Sequence, residues 1–220
     1  ASKLNADVVE IYSTQYAFAA RKKDGSVVTW GDANYGGDSA KVAAKLNKDV
    51  KSITSAYGAF AALKNDGSVV SWGNSQVVAN SDKVLSQLKE VETISASLWA
   101  FAALKKDGSV VTWGNATGGG DSAKVLLQIG SDVEKVFATA HAFAALKKDG
   151  SVVTWGNGKY GGDSTKVTGQ LQGDVQTIYA NRTVFVALKK DGSVVSWGLD
   201  ASGADISKVA DKLKGGVATI

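Results

Sequence analysis

The chain has no cysteine, no proline and no methionine among its 220 residues, and its one histidine is His141. Without cysteine there is no disulfide framework, no thiolate nucleophile and no thiolate metal ligand. With one histidine there is no imidazole cluster for zinc, and no Ser-His-Asp or Cys-His constellation is expected. No apolar run approaches the ~20 residues of a membrane-spanning helix, and no charged-then-apolar leader opens the chain. With methionine missing, Ala1 is expected to follow a removed start, a removed leader or a boundary within a longer parent chain. Excess charge is also scarce, since 25 Lys and Arg stand against 21 Asp and Glu, a formal +4. The surplus is spread as lysines before each repeated turn (Lys22-Lys23, Lys64, Lys105-Lys106, Lys147-Lys148, Lys189-Lys190) and forms no concentrated basic face, which argues against nucleic acid as the partner. Hydrophobic residues at 44% and charged residues at 21% are ordinary globular values and exclude a disordered chain.

What the chain does contain is one sentence written five times. Asp24-Gly25-Ser26-Val27-Val28-Thr29-Trp30-Gly31 returns at 66–73, 107–114, 149–156 and 191–198. Trp30, Trp72, Trp113, Trp155 and Trp197 are 42, 41, 42 and 42 residues apart. A fixed period of this size marks a propeller, solenoid or array, in which each unit completes its neighbour's core. The expected organisation is a single repeat domain over 1–220. Its units run 7–48, 49–89, 90–131, 132–173 and 174–215, with a spare strand at 216–220.

Within a unit the second copy is typical. Val50-Lys51-Ser52-Ile53-Thr54-Ser55 reads as a strand A and Ala59-Phe60-Ala61-Ala62-Leu63 as a strand B. Asp66-Gly67 is a hairpin turn, because glycine takes positive φ without a Cβ clash, so Gly25, Gly67, Gly108, Gly150 and Gly192 are structural. Ser68-Val69-Val70-Ser71-Trp72 is strand C, rich in β-branched and aromatic residues. After Trp-Gly the period changes. Asp38-Ser39 precedes Val42 and Leu46, four residues apart on one helical face, which predicts a helix of two to three turns there and at 81–88, 121–129, 163–171 and 205–213. Strand C is apolar on both faces, which predicts small sheets stacked on one another. The strand-B alanines would allow close approach, and the five tryptophans would fill the wider gap. The fold class is mainly β, propeller-like.

The run Val50-Lys51-Ser52-Ile53, Ala62-Leu63, Asp66-Gly67, Val69-Val70-Ser71-Trp72-Gly73 resembles the repeat of the regulator-of-chromosome-condensation superfamily, whose bacterial branch includes the type II β-lactamase inhibitory protein. The likeness covers about two-thirds of each unit, and Trp72-Gly73-Asn74, Trp113-Gly114-Asn115 and Trp155-Gly156-Asn157 extend it. It implies a β-propeller-like ring that binds other proteins through loops at one face. The chain departs from that pattern in two ways. Gly36-Gly37-Asp38-Ser39 replaces the family's usual continuation, and there are five repeats where the family usually has seven blades. A sixth copy of strand A lies at the C-terminus, where Lys212-Leu213 through Ile220 matches Lys3-Leu4 through Ile11.

The informative positions are those where the copies disagree. The A–B loops read Gln15-Tyr16, Tyr57-Gly58, Leu98-Trp99, Ala140-His141 and Arg182-Thr183. A second variable patch reads Asn34-Tyr35, Gln76-Val77, Ala116-Thr117, Lys159-Tyr160 and Asp200-Ala201. Tyrosine, tryptophan and arginine anchor interfaces. The candidate binding residues are therefore Tyr16, Tyr57, Trp99, His141, Arg182, Tyr35 and Tyr160, with Trp99 and Tyr57 packing under a loop as the competing reading. Asp38, Asp121 and Asp163 are explained as helix caps, not calcium ligands, and Gly118-Gly119-Gly120 lacks the Lys-Ser/Thr of a phosphate loop. No catalytic residue, metal or cofactor is expected. The reading is a non-enzymatic scaffold for a protein or surface ligand, fitting a module of a larger bacterial surface or secreted protein. The alternative is a self-assembling array joined through its terminal strands. A designed repeat protein would carry the same signature.

Overall fold

The computed structural model describes residues 6–220. Each repeat forms one three-stranded antiparallel meander, and there are five such blades. The first is β1 (Val8–Ser13), β2 (Ala17–Lys22) and β3 (Val27–Gly31), and the second β4 (Val50–Ser55), β5 (Ala59–Lys64) and β6 (Val69–Gly73). The third is β7 (Val91–Ala96), β8 (Ala100–Lys105) and β9 (Val110–Gly114), and the fourth β10 (Val133–Ala138), β11 (Ala142–Lys147) and β12 (Val152–Gly156). The fifth is β13 (Val175–Ala180), β14 (Val184–Lys189) and β15 (Val194–Gly198). The A strands of consecutive blades touch (β1 to β4, β4 to β7, β7 to β10, β10 to β13), so they line the inside of a propeller-like array.

Strand A explains the Val-x-x-Ile spacing. In a regular strand, residues three apart face opposite sides. Here the register slips between Val50 and Ser52, and at the same place in the other four blades, so a β-bulge at Lys51 returns Val50 and Ile53 to one face. Both are buried against the first blade, with Phe60, Ala62, Val70 and Trp72. The opposite face of the second blade, carrying Ala59, Ala61 and Leu63, packs on Phe101, Ala103 and Trp113 of the third. Every joint thus sets small alanines of one blade against the Phe and Trp of the next, as in the fourth-to-fifth joint. Phe60–Trp72, Phe101–Trp113, Phe143–Trp155 and Phe185–Trp197 are stacked, with centroids 5.2, 5.2, 5.4 and 5.4 Å apart. Burying each such side chain contributes roughly 1.5–3 kcal/mol.

The hairpin turn also serves the joint. The Asp24 carboxylate accepts the Ser26 N–H at 2.9 Å, and its four equivalents do the same. The serine two residues on holds the turn carboxylates below their ordinary range, and at Asp107 to about 2. The turn glycine sits at φ 76 in Gly25, and its carbonyl accepts the N–H of Val50, the first residue of the next blade, at 3.0 Å. The same bond ties Gly67 to Val91, Gly108 to Val133 and Gly150 to Val175.

Two expectations need correction. The segments after Trp-Gly are not α-helices of two to three turns. Ala40–Lys45, Ala123–Val125, Thr165–Gln170 and Ser207–Leu213 are 3-10 turns, and the single α-turn is Ser81–Val84. Segments this short do not offset the cost of α-helix nucleation, and tighter 3-10 geometry is the usual outcome. The aspartates still act at their start, since Asp38, Asp121, Asp163 and Asp205 accept the N–H two residues on. The other correction concerns 216–220, which form no strand. Val217 donates to the Gly192 carbonyl at 3.1 Å, as a new strand A should, but no B–C hairpin is there to pair with it.

The tryptophans are not equivalent. Trp72, Trp155 and Trp197 donate their indole N–H to the carbonyls of Gly36, Gly119 and Gly161 in the preceding blade, each at 3.0 Å. Trp113 has no partner, because the second repeat carries Val78 where the others have glycine. The left-handed residue there is Asn80, and the loop carbonyls turn elsewhere. Trp→Phe at 72, 155 or 197 removes a hydrogen bond of about 1 kcal/mol and strands a carbonyl, whereas at 113 it removes a burial penalty. In urea titrations Trp113→Phe is expected to be the least damaging of the four.

Candidate binding face

The A–B loops are gathered by their own backbone. The Gln15 N–H donates to the Tyr57 carbonyl at 3.1 Å, Tyr57 to Leu98 at 3.0 Å, Leu98 to Ala140 at 2.9 Å and Ala140 to Arg182 at 2.9 Å. Equivalent positions of five repeats are thereby strung along one end of the array. They surround a depression of about 610 Å³, lined by these loops and the ends of the A strands.

A second set of bonds fastens four of the five A–B loops to the loop after Trp-Gly in their own blades. Thr14, Ser97 and Thr139 donate their hydroxyls to the carbonyls of Tyr35, Gly118 and Tyr160 at 2.9, 2.8 and 2.8 Å, and the Asn181 amide reaches Ser202 at 3.3 Å. In the sequence these braces correspond to a recurring polar residue, Thr14, Ser97, Thr139 and Asn181, broken at Ala56. They also correct the second variable patch. The structural equivalents of Tyr35 are Val77, Gly118, Tyr160 and Ser202, so the pairs Ala116-Thr117 and Asp200-Ala201 are one residue early.

The candidate residues fall into two groups on this face. Tyr16 meets Tyr35 edge-on at 4.7 Å, Tyr35 lies 5.8 Å from Tyr57, and Tyr57 lies 4.9 Å from Trp99. These four make one continuous aromatic arc across three blades. His141 and Tyr160 form a separate pair at 4.4 Å in the fourth blade. Arg182 is exposed on the fifth. Tyr16 is 55% exposed, whereas Trp99 is half-buried against the core of the second-to-third joint, so part of its role is packing. Partial burial and the tyrosines beside it raise the Tyr35 phenol above its ordinary value. Burial, and then the Arg182 cation, lower His141, which favours the neutral imidazole at pH 7. Its ring contact is a tilted one with Tyr160, at an interplanar angle of 57°, and not a nucleophile–base pair. Among the described residues, no three His, Asp or Glu side chains converge to hold a metal.

Fold and face together define a propeller-like repeat protein whose framework is constant and whose variation is collected at one end. No family model and no curated protein matches the sequence. Solved structures do match in fold. The chain is similar to human WBSCR16, with a TM-score of 0.55 and 16% identity over 87% of this chain and 61% of that one. It is similar to Saccharomyces cerevisiae Prp20p, the yeast RCC1, with a TM-score of 0.52 and 17% identity over 87% and 58%. It is also similar to the CRINKLY WD40 ectodomain of the Arabidopsis thaliana receptor kinase ACR4, with a TM-score of 0.52 and 17% identity over 87% and 64%. The chain has the RCC1-like, β-propeller-like repeat fold, and it spans less than two thirds of the length of each of these structures.

Proposed function

We propose that this chain is a non-enzymatic scaffold that binds a protein partner through the loop face. The observation that carries the reading is the joining of variable residues from five repeats by one backbone ladder, with the Tyr16–Tyr35–Tyr57–Trp99 arc on the same end. Large, stiff aromatics offer contact area at little entropic cost, and an exposed arginine supplies a directed polar contact. Prp20p, with a similar fold, has been described with binding properties to Gsp1p and histones, which supports a partner-binding role for the architecture.

The test is to select ligands for the 220-residue chain from a displayed protein library. Their affinities are then measured against Tyr16→Ala/Arg182→Ala. Neither residue is buried, so thermal unfolding should be unchanged while affinity falls at least tenfold, the effect of losing about 1.4 kcal/mol. Ligands that bind the double variant as tightly as the parent would place recognition elsewhere.

A further inference from the structure

The depression at the loop end differs in chemistry from the aromatic arc beside it. Gln15, Tyr57, Leu98, Ala140 and Arg182, which form the backbone ladder, all line it, together with the ends of the A strands. Every blade contributes, so the concavity belongs to the array and not to one unit. Tyr57, Leu98 and Ala140 give it an aromatic and apolar stretch. Among the described residues that line it, Arg182 is the one with a charged side chain.

The polar side chains of the lining divide by what they already hold. The Thr14, Ser97 and Thr139 hydroxyls and the Asn181 amide are engaged in the braces, and the Tyr57 phenol is shared with Tyr35. Ser13, Ser55, Gln15 and Arg182 make no side-chain hydrogen bond among the described residues. All four can donate, and no lining residue is a carboxylate that would receive the guanidinium. Asp32, whose charge reaches Tyr35, lies outside the depression. The Arg182 charge is felt at His141 of the fourth blade, so it acts inward across the face. The result is a donor-rich, cationic hollow with an apolar wall.

We infer that the depression receives a carboxylate of the protein partner, held by the Arg182 guanidinium, with an apolar side chain beside it against Tyr57 and Leu98. The inference rests on the loop-face reading and narrows the partner to a segment in which an acidic group adjoins apolar residues. The argument for this occupant is charge complementarity. A partner seated in the hollow displaces water from the guanidinium, and a neutral segment would leave that cation desolvated and unpaired. A carboxylate replaces the lost water with two parallel charge-assisted hydrogen bonds, which a planar guanidinium fork is shaped to give. The Ser13, Ser55 and Gln15 donors suit the same acceptor-rich group. An Asp or Glu side chain and a free chain terminus carry this chemistry equally.

The test is selection of short linear peptides on the 220-residue chain from a displayed library, followed by affinity measurements on synthetic copies. One arm carries acidic side chains with an amidated terminus, and the other carries a free terminus with no acidic side chain, so the two sources of carboxylate are told apart. In at least one arm, replacing the carboxylate by its amide should weaken binding to the parent at least tenfold. Against Arg182→Gln, an exposed change that should keep the parent circular dichroism, the same replacement should cost less than twofold. Selection that yields no peptide dependent on a carboxylate overturns the inference. So does an acid-to-amide loss that is equally large in Arg182→Gln. If such peptides still weaken with Tyr16→Ala, the loop-face reading stands and only the carboxylate falls. Peptides indifferent to both replacements defeat the two together.

Discussion

Phe101→Ala is expected to cost about 3–5 kcal/mol and Phe18→Ala well under half of that, although the two residues occupy the same place in near-identical repeats. Phe101 has no exposed surface and lies among Ala59, Ala61, Val77 and Trp113, in a joint whose two sides belong to different blades. Truncation there leaves a cavity that neither sheet can close without losing register. Phe18 stacks on Trp30 but faces outward, so its loss removes one aromatic contact and little else. Phe60, Phe143 and Phe185 should group with Phe101. Urea titrations at micromolar protein with a shared slope would read the series directly. Equal costs at 18 and 101 would show that the first blade's face is covered in solution.

Much of this architecture was legible because the same local chemistry is repeated. Asp-Gly between apolar runs marks its hairpin in all five units, and the alanines beside one phenylalanine announce close stacking of sheets. The bulge at Lys51 was not legible, since Val-x-x-Ile fits a strand poorly and a helix better until the register is seen. The helix type was misjudged for a similar reason. Val42 and Leu46 keep helical spacing, but the helical run is only Ala40–Lys45, too short to offset the cost of α-helix nucleation. On the candidate face, the gathering of loops was expected from the repeat, whereas the backbone ladder and the Thr14, Ser97 and Thr139 braces depend on which carbonyls point inward. The exposure of Phe18 was the least legible feature. The sequence of Phe18 and its flanking alanines resembles every other copy, and only the lack of a neighbouring blade sets it apart.

Gly119→Ala is the second large effect expected, and Gly203→Ala is its matched control. Both glycines hold left-handed backbone, at φ 98 and 108, where any other residue costs roughly 1–2 kcal/mol. At Gly203 that penalty stands alone, because the added Cβ meets nothing. At Gly119 the same atom would lie 2.5 Å from Phe143 Cδ2, on a ring fixed between two sheets and stacked on Trp155. The ring cannot withdraw, so the loop must move, and the Gly119 carbonyl then leaves the Trp155 indole N–H without its acceptor. Overpacking of about 1–3 kcal/mol and a lost hydrogen bond of about 1 kcal/mol therefore add to the backbone term. The second repeat shows what accommodation looks like. With Val78 at this position the loop takes another course, left-handed at Asn80, and Trp113 goes unpartnered. Denaturant midpoints should therefore separate Gly119→Ala from Gly203→Ala by about 2–4 kcal/mol. Equal destabilisation of the two would mean that the fourth blade does not press its phenylalanine onto this loop. The joint repeated along the array would then be looser than the stacked Phe143–Trp155 pair implies.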